Sequence, residues 1–134
     1  MYSYPADFDG HVLSESARIV AEYYRHVDAM DIDWLIGLFA VDAVYHRADV
    51  TYTGLPAIAK FFRDERKIRG RHTLEKMWLD AASRGVVVTG QFDGQGISGD
   101  PRSVGFADVW HFNDAALVVR RQTYLALGHR YVER

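Results

Sequence analysis

The hydrophobic periodicity of this chain changes once, at Gly70, and that change limits the possible folds more than any other feature. Before Gly70, large apolar residues recur at helical spacing. In "VLSESARIVAEYYRHVDAM", Leu13, Ala17, Val20, Tyr24 and Val27 form one stripe flanked by Ile19 and Tyr23, which predicts an amphipathic helix. "DIDWLIGLF" predicts a short second helix, capped by Asp31 or Asp33, with Trp34, Leu35, Leu38 and Phe39 inward. "AVYHRADVTY" is short and β-prone. Gly54 and Pro56 then introduce a third helix, "LPAIAKFFRDERKIR", apolar at Ile58, Phe61 and Phe62 and ending near Gly70. Beyond it, four runs read as strands: "RHTLEKMWLDA", "GVVVTGQFDGQG", "RSVGFADVWHF" and "ALVVRRQTYLAL". The separators "ASRG", "ISGDP" and "NDA" are turn chemistry, so consecutive antiparallel pairing is the simplest topology. The glycines of "GQFDGQG" mark a bulge or a bend in that sheet. Three helices followed by a curved antiparallel sheet is an α+β plan with the helices on one face. Residues 1–10 read as a loose polar arm and 11–134 as one domain, a length that suits a single core.

One strand carries an anomaly. In "VGFADVWHF" the residues Val104, Phe106, Trp110 and Phe112 alternate onto one face, and Asp108 shares that face with them. A carboxylate among hydrophobes is costly unless it is paired, protonated or used. Arg121, alternating with Thr123 and Leu125 on the next run, is a candidate ion-pair partner. The other reading is a carboxyl group on the wall of a pocket.

Composition excludes several classes. The formal net charge of -2 lacks the basic excess of a nucleic-acid module, and the run Lys60 to Lys67 reads as a solvated helix face. No apolar stretch approaches the ~20 residues of a membrane span. "MYSYPADFDGH" lacks the basic and apolar regions of a signal peptide, so a cytoplasmic location is expected. With no cysteine, disulfides, thiol catalysis and thiolate-bound zinc are excluded. No His-x-x-x-His spacing supports a metal, and no glycine-rich loop joins a strand to a helix, so neither metal nor nucleotide cofactor is expected.

The order of elements, with the segments "YYRHVDAMDIDWLIGLFAVDAVYH", "GLPAIAKFF" and "FADVWHF", resembles the nuclear-transport-factor-2-like superfamily over roughly residues 15–128. Within it the chain looks closest to the SnoaL-like polyketide cyclases, with ketosteroid isomerases and small dehydratases as relatives. The resemblance implies a cone: a curved antiparallel sheet wrapping three N-terminal helices around a deep pocket. Against the isomerases, Asp108 falls on a protonated oxyanion-binding aspartate and Tyr23 on the oxyanion-hole tyrosine, but their general base falls on Arg47. A neutral, hydrogen-bond-donating carboxylic acid of this kind is itself the established ketosteroid isomerase case. Against the dehydratases, His72 falls on the catalytic histidine, and Tyr23 and Asp28 have the matching spacing of five residues. The Arg and Asp set of limonene-epoxide-hydrolase-like members is not reproduced.

Together these readings predict a cofactor-free acid–base enzyme, a cyclase, isomerase or dehydratase, acting on a small hydrophobic carbonyl-bearing metabolite. His72 would move a proton, since an ordinary imidazole titrates near neutrality, and Asp28 would orient it. Its own strand alternates ambiguously, and the resemblance alone turns His72 inward. Asp28 stands near a helix C-terminus, where the macrodipole disfavours an acid. Tyr23 and Asp108 would stabilise an enolate oxygen. Arg47 or Arg121 would steer an acidic or carbonyl group, His46 would line the mouth, and Phe92, Phe106, Trp110 and Tyr124 would shape the pocket. His26 and His111 read as surface residues. The outward set Gly105, Ala107, Val109, Val118, Gln122 and Tyr124 is apolar enough to predict a homodimer, in which Tyr124 would serve the interface instead. The rival reading is a non-catalytic binding or scaffold protein of the same fold. Convergence of His72, Tyr23 and Asp108 on one cavity discriminates between them.

Overall fold

The computed structural model describes residues 15–127, so the arm expected over residues 1–10 lies outside the described residues. Helix α1 (Glu15–Asp28) buries the predicted stripe from Ala17 on: Ala17, Val20, Tyr24 and Val27 are inside, with Ala21 and Tyr23 beside them, while Leu13 lies outside the described residues. It is followed by α2 (Ile32–Gly37), a hairpin of β1 (Phe39–Arg47) and β2 (Val50–Thr53), and α3 (Leu55–Lys60). Four long strands complete the chain: β3 (Arg69–Asp80), β4 (Gly85–Gln95), β5 (Pro101–Phe112) and β6 (Val118–Ala126). They form one curved six-stranded sheet in the order β2-β1-β6-β5-β4-β3. β3 to β6 pair consecutively and antiparallel, as their turn chemistry demands. The exception to antiparallel pairing is β1, which runs parallel to β6.

The structure departs from the sequence reading where the local phase of the chain shifts. Phe39 opens β1 and does not belong to α2. The run 43–53 is two paired strands, with Arg47 opposite Val50 across a two-residue turn. Asn-Gly pairs usually signal such turns, but here Ala48 takes the positive φ of 54°. The third helix changes to a π-helical turn at Phe61–Glu65 and stops before Arg66. That wider turn buries Phe61 and Phe62 and brings Arg66 around to the interior side, so the Lys60 to Lys67 run is not one solvated face. On β3 the register slips between Leu74 and Lys76, which puts His72, Leu74 and Met77 on the inner face and explains the ambiguous alternation. Gly90 lies opposite Leu74 at this bulge. A Cβ there would come within 2.8 Å of the Phe106 ring and 2.4 Å of the Thr73 carbonyl oxygen, so the strand requires glycine.

The core is continuous between helices and sheet. Val20, Tyr24, Leu35, Ile58, Phe62, Val88 and Trp110 are nearly or wholly inaccessible. Burying each large apolar side chain contributes roughly 1.5–3 kcal/mol. Val118, expected to face outward, belongs to this core at 0% exposure because β6 shifts register near Phe112. The true outer face carries the cross-strand row Trp78, Val87, Val109 and Gln122, with Tyr124 exposed beside it. His26 is not a free surface residue: its ring stacks on Trp34 at 3.9 Å and Nδ1 lies 2.9 Å from Asp31. Nor is His111, whose Nδ1 is buried with no partner among the described residues. No described helix is long and apolar enough to cross a membrane.

Candidate active site

A cavity of about 420 Å³ opens between the sheet and α1. Its walls differ because strands from the two ends of the sheet build them. β1, β6 and the segment after the π-helical turn supply Tyr45, Arg47, Arg66, Arg121 and Thr123. β3, β4 and β5 supply His72, Phe92 and Phe106, and α1 supplies Tyr23. His72, Tyr23 and Asp108 therefore meet on one cavity.

At 1% exposure, Asp108 is among the most buried groups of the protein. Its carboxylate accepts three hydrogen bonds: from the Tyr24 hydroxyl at 2.6 Å, from Arg121 Nη2 at 3.0 Å and from the Thr123 hydroxyl. Arg121 also donates through Nη1 to the Tyr23 oxygen at 2.6 Å. The guanidinium lies 4.4 Å from the Tyr23 ring, 4.6 Å from Tyr45 and 4.3 Å from Trp110, so its charge meets three aromatic faces as well as a carboxylate. Trp110 Nε1 reaches the Tyr24 oxygen at 3.3 Å, and the Tyr45 hydroxyl is 3.2 Å from that of Thr123. This network answers the anomaly in the sequence. Asp108 is an acceptor held by Arg121, so the expectation that it donates a proton to an oxyanion is overturned.

Burial raises the pKa of Tyr23, opposed by Arg121, and raises that of Tyr24 well above the ordinary value, reinforced by Asp108. Burial works against the Arg121 charge, but Asp108, then Tyr23 and Tyr45, more than offset it and hold its pKa well above normal. Tyr23 is thus a neutral phenol at ordinary pH. Its oxygen already accepts from Arg121, which leaves its own O–H to donate to a bound molecule.

The second acid of the site is built differently. Asp28 is the last residue of α1, and its Oδ1 lies 2.6 Å from His72 Nδ1. Its Oδ2 accepts the His72 backbone N–H at 2.8 Å, so one carboxylate fixes both the strand and the ring of this histidine. The charge disfavoured by the helix end is satisfied by β3. With the proton on Nδ1, the lone pair of Nε2 has no hydrogen-bond partner among the described residues, and the ring lies on the cavity wall. Phe92 and Phe106 pack the ring at 4.8 and 5.3 Å and Tyr24 at 5.3 Å, which fixes its orientation.

Of the residues expected in the site, Tyr23, His72, Asp108, Arg47, Arg121, Phe92 and Phe106 line the cavity, and Asp28 acts from behind His72. Three do not line it. His46 alternates away from Tyr45 and Arg47 and bonds Thr51 at 3.0 Å. Trp110 lies at 0% exposure behind the Arg121 network, and Tyr124 stands on the outer face at 54%. Tyr24, Tyr45, Thr123 and Arg66 were not singled out by the sequence reading. Thr123 alternates with Arg121, so its inward face was legible; Arg66 is turned inward by the π-helical turn. Among the described residues no three His, Asp or Glu side chains group as metal ligands would.

A curved sheet and three helices around a cavity, with an Asp–His pair at one wall and a buried Arg–Asp pair at the other, define an α+β cone. A family model for the SnoaL-like domain matches residues 20–120, and the chain belongs to that family. A nuclear-transport-factor-2-like protein of unknown function from Burkholderia pseudomallei shares the fold at TM-score 0.76 and 18% identity, covering 85% of this chain and 92% of that one. The epoxide hydrolase/cyclase-like enzyme SalBIII, with a role in pyran ring formation in the polyether salinomycin, matches at 0.76 and 16%, covering 84% and 92%. A Catenulispora acidiphila protein of ketosteroid isomerase-like fold, in complex with trimethylamine, matches at 0.69 and 21%, covering 81% and 85%. No curated protein matches the chain. Likeness at this identity establishes the fold, and function rests on the site.

Proposed function

We propose that the protein is a cofactor-free acid–base enzyme acting beside a carbonyl group of a small, largely apolar metabolite. The observation that carries this reading is that the open nitrogen of an Asp-oriented histidine shares one cavity with a phenol polarised by arginine. His72 Nε2 takes a proton from carbon, the electron pair passes to the carbonyl oxygen, and Asp28 stabilises the resulting imidazolium. The Tyr23 O–H donates to the enolate oxygen, with Arg121 behind it; a well-aimed donor of this kind is worth ~3–4 kcal/mol in a water-poor site. The imidazolium then returns its proton to another carbon, completing an isomerisation, or to a leaving hydroxyl, completing a dehydration. In a cyclisation the enolate carbon attacks a second carbonyl of the same molecule, and the imidazolium gives its proton to the alkoxide that forms there. Asp108 contributes by holding Arg121 in place.

Proton abstraction is measurable without knowing the natural substrate. A panel of aryl and alkyl ketones incubated with the protein in D₂O should lose α-proton signal by NMR, and His72→Ala should slow this by ~100-fold or more. Ligand binding without exchange in the wild type would favour the rival reading, a non-catalytic binding protein. We propose also that a second copy covers the outer face around Trp78 and Tyr124, which are 50% and 54% exposed. Sedimentation at micromolar concentration should then give twice the chain mass of 15.3 kDa, and a monomer alone would rule this out.

A further inference from the structure

The arginines of the cavity are unequal in their partners. Arg121 has Asp108 and Tyr23. Arg47 and Arg66 line the same cavity, both are partly buried, and neither has a carboxylate within ion-pair distance among the described residues. Arg66 donates through Nη1 to the Ile68 carbonyl at 3.3 Å, and the Arg47 guanidinium lies 5.1 Å from the centroid of the Phe61 ring. Among the described residues, Asp108 is the sole acid on the cavity lining, and it is already committed to Arg121. Burial lowers the pKa of Arg66, and the nearby charges of Arg47 and Arg121 push the same way. Cations withdrawn from water without a counter-charge are costly, and a chain that keeps two of them beside a cavity has a use for them.

We propose that the ligand of this cavity is a carboxylic acid, an apolar body bearing one carboxylate that Arg66 and Arg47 hold while the rest lies against Phe92 and Phe106. This rests on the proposed acid–base reading and narrows its substrate class from carbonyl compounds to keto acids in the free-acid form. The planar guanidinium fork fits a carboxylate, and charge-assisted bonds of this kind are about twice as strong as neutral ones. Arg102 also lines the cavity, but Asp100 binds it at 2.6 Å; Ile68, Val104 and Leu125, beside the two phenylalanines, favour an apolar remainder. A cavity of about 420 Å³ accommodates a small metabolite of this kind. The two ends of the cavity then divide the work, with the arginines fixing the carboxylate and His72 addressing the carbonyl.

A binding experiment tests this without depending on turnover. Phenylbutanoate and phenylbutanamide differ only in the charged head, and calorimetry should show the acid binding at least roughly tenfold more tightly to the wild-type protein. Arg66→Met should bring the two within about twofold, Arg66→Lys should keep part of the preference, and His72→Ala should keep all of it. Because Arg66 has no acid to leave stranded, the unliganded Arg66→Met protein should be at least as resistant to denaturant as the wild type. Equal binding of acid and amide, binding of neither, a preference that survives Arg66→Met, or an Arg66→Met chain that loses its fold would each overturn the proposal. A preference for the acid with no deuterium exchange in any ketone would leave this inference standing and remove the acid–base reading. Exchange that depends on His72, with acid and amide bound alike, would do the reverse.

Discussion

Asp108 and Asp28 each meet a basic side chain on another element, and they differ in what they leave open. Asp108 is 1% exposed, accepts from Arg121, Tyr24 and Thr123, and joins β5 to β6 and to α1. Asp28 sits at the end of α1 with a side chain 15% exposed, and its partner His72 is 13% exposed and keeps a ring nitrogen unbonded among the described residues. The first pair has its acceptors filled and is a structural tie that positions Tyr23 through Arg121. The second leaves one ring nitrogen of a cavity-lining histidine without a hydrogen-bond partner among the described residues, and acid–base chemistry requires such an open nitrogen. Burial of a charged pair does not by itself indicate a reaction; an unfilled hydrogen-bonding position on a cavity wall is the better sign.

The sharpest break in this comparison should come from Asp108→Asn. The amide keeps the shape, but its nitrogen cannot accept from Tyr24 or Thr123, and Arg121 loses its counter-charge. Broken buried pairs typically cost about 3–5 kcal/mol, so unfolding in denaturant should show a loss of roughly that size. A stability within about 1 kcal/mol of wild type would show that Asp108 does not act as the tie described.

His72→Ala should invert the pattern. The half-buried ring contributes packing against Phe92 and Phe106, so a loss of about 1 kcal/mol is expected, while deuterium exchange into ketones falls by ~100-fold. If this variant unfolds as readily as Asp108→Asn, the two pairs are not functionally distinct.

The smallest and most gradual effect is alkaline. Tyr23 and Tyr24 both titrate above the ordinary phenol value of 10.0 in the folded protein, chiefly through burial. The folded state therefore holds these protons more tightly than the unfolded chain. Their contribution to stability is complete below about pH 10 and is lost as pH rises through the raised values. Denaturation midpoints should fall on the alkaline side, with phenolate absorbance from these two residues appearing only as the fold opens. Early titration of all the tyrosines in the native protein would show that the network is open to water.

Much of the fold was legible in the sequence because periodicity is a local property. The α1 stripe, the four long strands with their turns and the inward Asp108 all follow from residue spacing alone. The site was legible in part. Tyr23, Asp28, His72, Arg47 and Arg121 carry side chains whose chemistry is visible in any context, and the family resemblance turned His72 inward where alternation could not. Several of the misread positions share one cause, a local shift of phase. The β3 bulge re-aims the residues around Glu75, the π-helical turn swings Arg66 to the cavity, and the Ala48 turn creates a hairpin without glycine or asparagine at the bend. A single extra residue in a turn or a ladder reverses which side chains face inward, and nothing in the hydrophobic pattern announces it.

By itself, the sequence determined which segments form helices and strands and that one acid must lie among hydrophobes. Those outcomes depend on neighbours a few residues apart. Whether Asp108 was neutral or paired depended on Arg121, Tyr24 and Thr123 arriving from β6 and α1, and only the tertiary structure brought them within hydrogen-bond distance. The same holds for the parallel seating of β1 on β6, which carries Tyr45 and Arg47 to the cavity. A carboxylate's role is set by the donors around it, and in this chain those donors are between 13 and 84 residues away in sequence.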